Sequence, residues 1–251
     1  AVLMVASLCA CGQKDTGSDL QTVTKGKLIM STNAEFAPYE YVADDGKGYE
    51  GTGYEGIDIE IAYALAQKLG LELVVDNMDF DAALSAVQTG KSDMVAAGVT
   101  VTPDRLNAMS FTDSYANGVQ VVIVKEGSDI KSIDDLQGKK IGTQRGTTGF
   151  LYCSDDFGDD NVIGFDDGAT AVQNLKAGKV DCVVIDNAPA QEYVKANPGL
   201  TILDTEYANE DYAIGIAKDN TALQEALNKA LAELKADGTI QSIIDKYIPA
   251  K

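Results

Sequence analysis

Arg105, Asp186 and the run Gly146-Thr147-Thr148 are the residues of this chain whose types and settings best suit recognition chemistry. A guanidinium is planar and can hold both oxygens of a carboxylate at once. Arg105 is equally readable as a surface residue paired with Asp104. Gly146-Thr147-Thr148 opens a helical stretch, where backbone N–H groups favour an anion; a plain turn and cap explains the same residues. Asp186 closes the apolar run Val180 to Ile185. An unpaired carboxylate there is costly, so it calls for a cationic partner or serves as the cap of the next helix. The chain contains no His, which removes the commonest general base and the commonest metal ligand.

Composition narrows the field further. The 251 residues allow one large domain or two small ones, and 45% hydrophobic content is that of a globular protein. A net charge of −19, from 39 acidic and 20 basic residues, argues against nucleic acid and against adsorption to anionic lipid. It reads as a solubility charge spread over the surface. The cysteines are Cys9, Cys11, Cys153 and Cys182, with no CxxC pair, so zinc and thioredoxin-type readings are poor. Cys153 and Cys182 could bridge in an exported protein; a buried free thiol fits Cys182, inside a strand-like run, at least as well.

The elements that must position these residues alternate. Strand-like runs at Lys27 to Met30, Leu71 to Val75, Met94 to Ala97, Val119 to Val124, Lys140 to Thr143, Val162 to Phe165, Val180 to Ile185, Leu200 to Leu203 and Tyr212 to Ala217 are separated by helical patterns. The helix over Ile57 to Leu69 carries apolar residues at helical spacing and stops at Gly70; Asp79 can cap another ending near Thr89. Thr102-Pro103 reads as a cap followed by proline in the first helical position. Leu223, Leu227, Leu231 and Leu234 form one apolar stripe. This alternation predicts an α/β fold with mainly parallel sheets, whose ligands bind at the C-terminal ends of strands. The loops at 33–38, 97–105, 144–149 and 185–187 all fall there.

A repeat suggests two similar halves around a shared site. Residues 83–95 (ALSAVQTGKSDMV) and 171–183 (AVQNLKAGKVDCV) share Ala83/Ala171, Gly90/Gly178, Lys91/Lys179, Asp93/Asp181 and Val95/Val183. A weaker echo pairs Gly26-Lys27-Leu28-Ile29 with Gly138-Lys139-Lys140-Ile141.

The first residues carry a different signal. Ala1 to Leu8 is apolar but far short of the ~20 residues that cross a bilayer. It reads as the remnant of a signal peptide. Leu8-Cys9-Ala10-Cys11 resembles the bacterial lipobox, which makes Cys11 the expected lipidation site and the membrane's outer face the expected location. Gln13 to Thr24 is polar and aperiodic, as a tether would be.

The loops also resemble, in order, those of the solute-binding proteins of polar amino acid ABC transporters, the histidine- and glutamine-binding group. Asn33-Ala34-Glu35-Phe36-Ala37-Pro38-Tyr39-Glu40-Tyr41 is similar to that family's first-strand loop. Gly56-Ile57-Asp58-Ile59-Glu60 is similar to its G-[FI]-D-[VI]-[DE] helix start, and Gly98 to Arg105 resembles its G-x-T-x-T-x-x-R segment. Phe111 to Tyr115 resembles its approach to the hinge, and Gly146-Thr147-Thr148 and Asp181 to Asp186 its second-lobe loops.

The resemblance implies two α/β lobes joined by two hinge strands. The expected division is 1–24 for signal remnant, lipobox and tether, 25–117 with 211–251 for lobe 1, and 118–210 for lobe 2. It implies that Arg105 clamps an amino acid's carboxylate with help from the N–H groups of Thr100 and Thr148. Asp186, the Gly98 carbonyl and the Thr100 hydroxyl would hold its ammonium. Phe36 and Phe80 would wall the side chain, Asn33 and Gln144 would touch its end, and Ala97 and Thr147 complete the expected set. Some relatives carry an acid or a Lys at the positions of Asn33 and Gln144. The neutral amides here favour a ligand such as glutamine, followed by arginine, lysine or histidine; Glu35 is a possible added negative charge. The implied protein is a monomer without cofactor or metal that performs no chemistry and hands its ligand to an ABC permease. A dehydratase of prephenate- or arogenate-like substrates on the same fold is the alternative.

Overall fold

Apolar strands rich in Leu, Ile, Val and Met have two faces to bury, and helices on either side of a sheet bury both. In the computed structural model, which describes residues 20–249, the strands form two main sheets. The first draws on β1 (Lys27–Thr32), then a small separate sheet of β2 (Glu35–Phe36), β3 (Glu40–Val42) and β4 (Tyr54–Glu55) intervenes. Next come α1 (Ile57–Leu69), β5 (Glu72–Asn77), α2 (Phe80–Gln88), β6 (Met94–Val95), α3 (Pro103–Ala108) and β7 (Met109–Phe111). The chain then enters a second sheet through β8 (Ala116–Lys125). There it forms β9 (Ile141–Gln144), α4 (Thr148–Phe157), β10 (Val162–Phe165), α5 (Gly168–Lys176), β11 (Cys182–Asp186), α6 (Asn187–Ala196), β12 (Leu200–Ile202) and β13 (Ala208–Tyr212). It returns to the first sheet as β14 (Gly215–Ala217) and ends in α7 (Thr221–Ala236) and α8 (Thr239–Tyr247).

The strand orders are β5-β1-β6-β14-β7 and β10-β9-β11-β8-β12, with β13 also on β8. Each sheet has a parallel core, β5-β1-β6 in one and β10-β9-β11 in the other. Antiparallel strands complete both: β14 beside β6 and β7, and β8 beside β11, β12 and β13. All of these antiparallel strands except β12 come from the segments that carry the chain between sheets. The two crossings lie side by side, with Ala116 opposite Tyr212 and Asn117 opposite Asp211.

Helix α1 spans the residues that its periodicity predicts. Gly70 closes it in the left-handed region at φ 67°, donating its N–H to Ala66 and Gln67 carbonyls. Its buried Ile57, Ile59, Ile61 and Leu65 share one core with Leu223, Leu227, Leu231 and Leu234 of α7. Each such side chain contributes about 1.5–3 kcal/mol when fully buried.

The repeat is structural as well as textual. Gly90 and Gly178 follow equivalent helices at φ 70° and 72°. Asp93 donates its N–H to the Ile29 carbonyl and accepts the Ile29 N–H on its carboxylate at 2.7 Å. Asp181 makes the same reciprocal pair with Lys140, its carboxylate accepting at 2.8 Å. In each half one aspartate ties the start of a second strand to the start of the first.

Two readings change. Tyr212 to Ala217, read as one strand, is divided between β13 and β14, because the chain changes sheets at Ala213-Ile214. The end of the expected tether packs on the body: the Val23 N–H reaches the Asp93 carboxylate at 2.7 Å, and Asn220 donates to the Gln21 carbonyl. Cys153 and Cys182 are both buried free thiols, which decides between the two readings of that pair. Cys9 and Cys11, with the lipobox, lie outside the described residues. No helix among the described residues is long and apolar enough to cross a membrane.

Gly118 lies where the crossings touch most closely. A Cβ there would sit 2.3 Å from the ring and hydroxyl of Tyr212, which is fully buried and packed edge-on against Tyr39 at 5.2 Å. The ring has no room to retreat. Gly118→Ala should therefore lower the free energy of unfolding by about 1–3 kcal/mol in a urea titration. An unchanged midpoint would show that the crossing strands reposition freely.

Candidate functional site

Strands β1, β6, β9 and β11 all deliver their C-terminal ends to one place, the space between the two sheets. A cavity lies there. Asn33, Phe36, Phe80, Ala97, Gly98, Thr100 and Arg105 line it from the first half of the molecule. Gln144, Thr147, Thr148 and Asp186 line it from the second. Every residue singled out from the sequence as a contact thus meets in this cavity, and Glu40 joins them.

Arg105 is held rather than loose. Thr102 caps α3 with its hydroxyl accepting the Arg105 N–H at 3.2 Å, and Pro103 fills the first helical position. The guanidinium donates to the Thr100 carbonyl at 3.0 Å and across the cleft to the Gly146 carbonyl at 3.1 Å. It lies 5.4 Å from the centre of the Phe80 ring. A guanidinium has about five N–H donors, so three remain after these two bonds. Burial lowers the pKa of Arg105 against the opposing pull of Glu210, Asp81 and Asp186. No ion pair joins it to Asp104 among the described residues, so the surface reading of Arg105 lapses.

Gly146 makes the close approach possible. It sits at φ 75°, and a Cβ would fall 1.8 Å from an Asp81 carboxylate oxygen. Thr147 caps α4, accepting the Phe150 N–H and donating to the Gln144 carbonyl at 2.8 Å. The buried Thr148 then begins the helix, where first-turn N–H groups have no helical partner and favour negative charge.

Asp186 answers from the opposite wall. It stands at the N-cap of α6 but makes no side-chain cap bond, which removes the capping explanation. Register places it directly across from Gln120 of β8. Gln120 Nε2 donates to Asp186 Oδ2 and to Glu210 Oε2, each at 2.9 Å. Asp186 Oδ1 is buried with no partner among the described residues. Burial, then the nearby Glu210, pushes the Asp186 carboxyl well above the usual range, while the Gln120 donor and Arg105 pull it back.

Phe36 and Phe80 are both buried. Gly98, at φ 54°, lets Phe36 lie against the loop, since a Cβ there would fall 2.9 Å from its ring. The two amides meet across the cleft: Gln144 Nε2 donates to Asn33 Oδ1 at 2.9 Å, while Asn33 Nδ2 donates to the Met78 carbonyl. Glu35 is exposed and outside the cavity lining; its main-chain carbonyl accepts from Tyr193 at 3.2 Å. The buried carboxyls Glu40 and Glu210 and the amide of Gln120 were not singled out from the sequence. Their signal is polarity in the wrong place: Glu40 stands among aromatics in Phe36 to Val42, and Gln120 interrupts an apolar strand.

The profile of the bacterial extracellular solute-binding proteins, family 3, matches residues 28–250. The arginine-binding extracellular protein ArtP of Bacillus subtilis (strain 168) is 33% identical, over 98% of this chain and 94% of its own. Among solved structures, an ancestral arginine-binding protein bound to glutamine is 40% identical with a TM-score of 0.83, covering 90% of this chain and 100% of that one. An ancestral arginine-binding protein bound to arginine is 42% identical with a TM-score of 0.81, covering 89% and 98%.

Gln120→Leu would strip Asp186 and Glu210 of their shared donor while keeping the side chain's bulk. It should lower the free energy of unfolding by about 1–3 kcal/mol at neutral pH, measured in urea. An unchanged urea midpoint would contradict that role.

Proposed function

The chain belongs to family 3 of the bacterial extracellular solute-binding proteins, and on that premise we propose that it captures a polar amino acid between two lobes and delivers it to an ABC permease. The observation that carries this reading is the pairing of Arg105 with Asp186 across one cavity. A zwitterion offers one carboxylate and one ammonium at a fixed short separation. The three free donors of Arg105 and the N–H of Thr148 suit the first; the unpartnered Asp186 Oδ1 suits the second. Each charge buried in the site is then answered by a charge on the solute.

Phe36 and Phe80 would flank the solute's side chain, and the Asn33–Gln144 amide pair would meet its end. Neutral amides that donate and accept fit a carboxamide such as glutamine, and can also accept from the cationic heads of arginine, lysine or histidine. Both kinds of ligand occur in the named relatives. We assign lobe 1 to residues 25–117 with 211–251 and lobe 2 to 118–210, closing on the solute about the paired crossing strands. Residues 1–24 are assigned to signal remnant, lipobox and tether, with a lipid on Cys11 holding a monomer at the outer face of the membrane. Labelled fatty acid retained by a Cys11→Ala variant would overturn that anchor. No catalytic step is assigned: binding and closure are the whole activity.

A thermal-shift screen of unfolded and refolded protein against the common amino acids tests the reading. A solute at 100 times its Kd adds about 2.7 kcal/mol, enough to move the midpoint by several degrees. Stabilisation by none of them, with release of a keto acid from prephenate or arogenate, would replace the reading with a dehydratase. Arg105→Ala should weaken the stabilising solute by at least about 30-fold, as expected for truncating a buried charge partner. Arg105→Lys should recover part of that loss, because it keeps the charge and loses the fork. Asp186→Asn should weaken binding comparably. Calorimetric affinities equal to wild type in Arg105→Ala or Asp186→Asn would remove that residue from the site.

A further inference from the structure

Beneath the loop Ala97–Thr100 lies a pair of carboxyls that the zwitterion does not use. The first turn of α1 packs on the segment leading into β3: Ile57 donates to the Pro38 carbonyl at 3.1 Å and Asp58 to the Tyr39 carbonyl at 2.9 Å. Gly56 permits this, since a Cβ there would fall 2.1 Å from the Tyr39 carbonyl oxygen. The packing brings the carboxyls of Asp58 and Glu40 within hydrogen-bonding reach of each other. Both are almost completely buried, and Glu40 lines the cavity.

Two carboxylates buried side by side cannot both ionise, so one proton stays between them. Geometry says where. Asp58 Oδ2 accepts the Gly98 N–H at 2.9 Å and the Tyr115 hydroxyl at 2.8 Å, and Asp58 sits in the first turn of a helix, where negative charge is favoured. Neither oxygen of Glu40 receives a donor from any described residue, and Asp58 Oδ1 is likewise without one. A protonated Glu40 donating to Asp58 Oδ1 resolves these orphans together. The other ionisable groups facing Glu40 are Tyr39 on its own segment, Tyr115 ahead of β8, and Asp186 on β11. None of these is a cation; Arg105, which shares the cavity, is drawn to Glu210, Asp81 and Asp186 instead.

We propose that Glu40, in its protonated form, is a positioning residue: it fixes the Asp58 carboxylate, which in turn holds the Ala97–Gly98 peptide, part of the cavity wall, at the solute's ammonium. This rests on the solute-binding reading above. With the Gly98 N–H drawn to Asp58, the trans peptide turns the Ala97 carbonyl the opposite way. The buried ionised Asp58 also leaves one net negative charge behind the wall that faces the ammonium. Burial and the neighbouring Asp58 hold the Glu40 carboxyl well above its ordinary value, and burial raises Asp58 to about 6.

Two measurements on the full chain test this. In urea unfolding without solute, a folded state that keeps a proton which the unfolded chain releases loses stability as pH rises above the ordinary carboxyl range. The wild-type unfolding constant should therefore rise relative to that of Glu40→Gln by up to tenfold per pH unit between pH 6 and 8. Glutamine has no proton to lose and still donates to Asp58. In calorimetry with the amino acid found by the thermal screen, Glu40→Gln should stay within about threefold of wild type. Glu40→Leu, equally bulky but without a donor, should weaken binding at least tenfold. Parallel pH profiles for wild type and Glu40→Gln would overturn the shared proton. An affinity loss in Glu40→Gln as large as in Glu40→Leu would overturn the protonated role. If wild type binds no amino acid while the profiles still diverge, the solute reading and the positioning role fall, and the shared proton alone stands.

Discussion

A carboxylate buried at the end of an apolar strand must have its charge answered, and the arrangement around Asp186 follows from that demand. Gln120 supplies one donor and divides it with Glu210. The other Asp186 oxygen is buried with no partner among the described residues, while Arg105, half-buried, brings a positive charge to the same cavity with donors to spare. A solute with only one charge would leave one of these groups desolvated and unpaired. On the proposed reading, selection for a zwitterion needs no extra recognition element: the cost of the wrong solute is built into the empty partners.

The same demand connects the site to the crossings. Gln120 lies on the outgoing crossing strand and Glu210 on the returning one, so the donor that orients Asp186 belongs to the segment about which the halves would move. Two further bonds span the cleft directly, Arg105 to the Gly146 carbonyl and Gln144 to Asn33. Asp186, Arg105, Gln144 and Asn33 among these also line the cavity. The proposed closure and recognition would thus draw on the same residues.

Much of this was legible in the chain. Helix α1 needed only its own periodicity and a glycine stop, and the cavity loops followed from alternating elements that put strand ends together. The repeat was visible because each half uses the same aspartate in the same reciprocal bond, at Asp93 and Asp181. What stayed hidden depends on distant partners. Nothing local separates the residues of β13 from those of β14, because both are strand-forming and only the neighbouring strands decide the sheet. Gln120 acquires its role from residues 66 and 90 positions away. Glu40 could be recognised as misplaced among aromatics, but its partner Asp58 is fixed by how α1 packs. Asp79 and Asp186 both looked like caps and neither makes the cap bond, since capping propensity cannot see a competing tertiary site.

The register of the crossings has a consequence for how such a chain can diversify. Gly118 pairs with Glu210 and Asn117 with Asp211, so the stretch between them leaves and re-enters the first half through adjacent strands. An insertion whose ends are neighbours can be exchanged as a cassette without stretching the host. One wall of the cavity, made by Gln144, Thr147, Thr148 and Asp186, travels with that cassette, while Arg105 and both phenylalanines stay behind. Recombination at this one paired position would therefore yield hybrids that keep the host's proposed carboxylate clamp and inherit a new wall for the proposed ammonium site, a combinatorial route to altered selectivity that leaves each sheet's own hydrogen bonding whole.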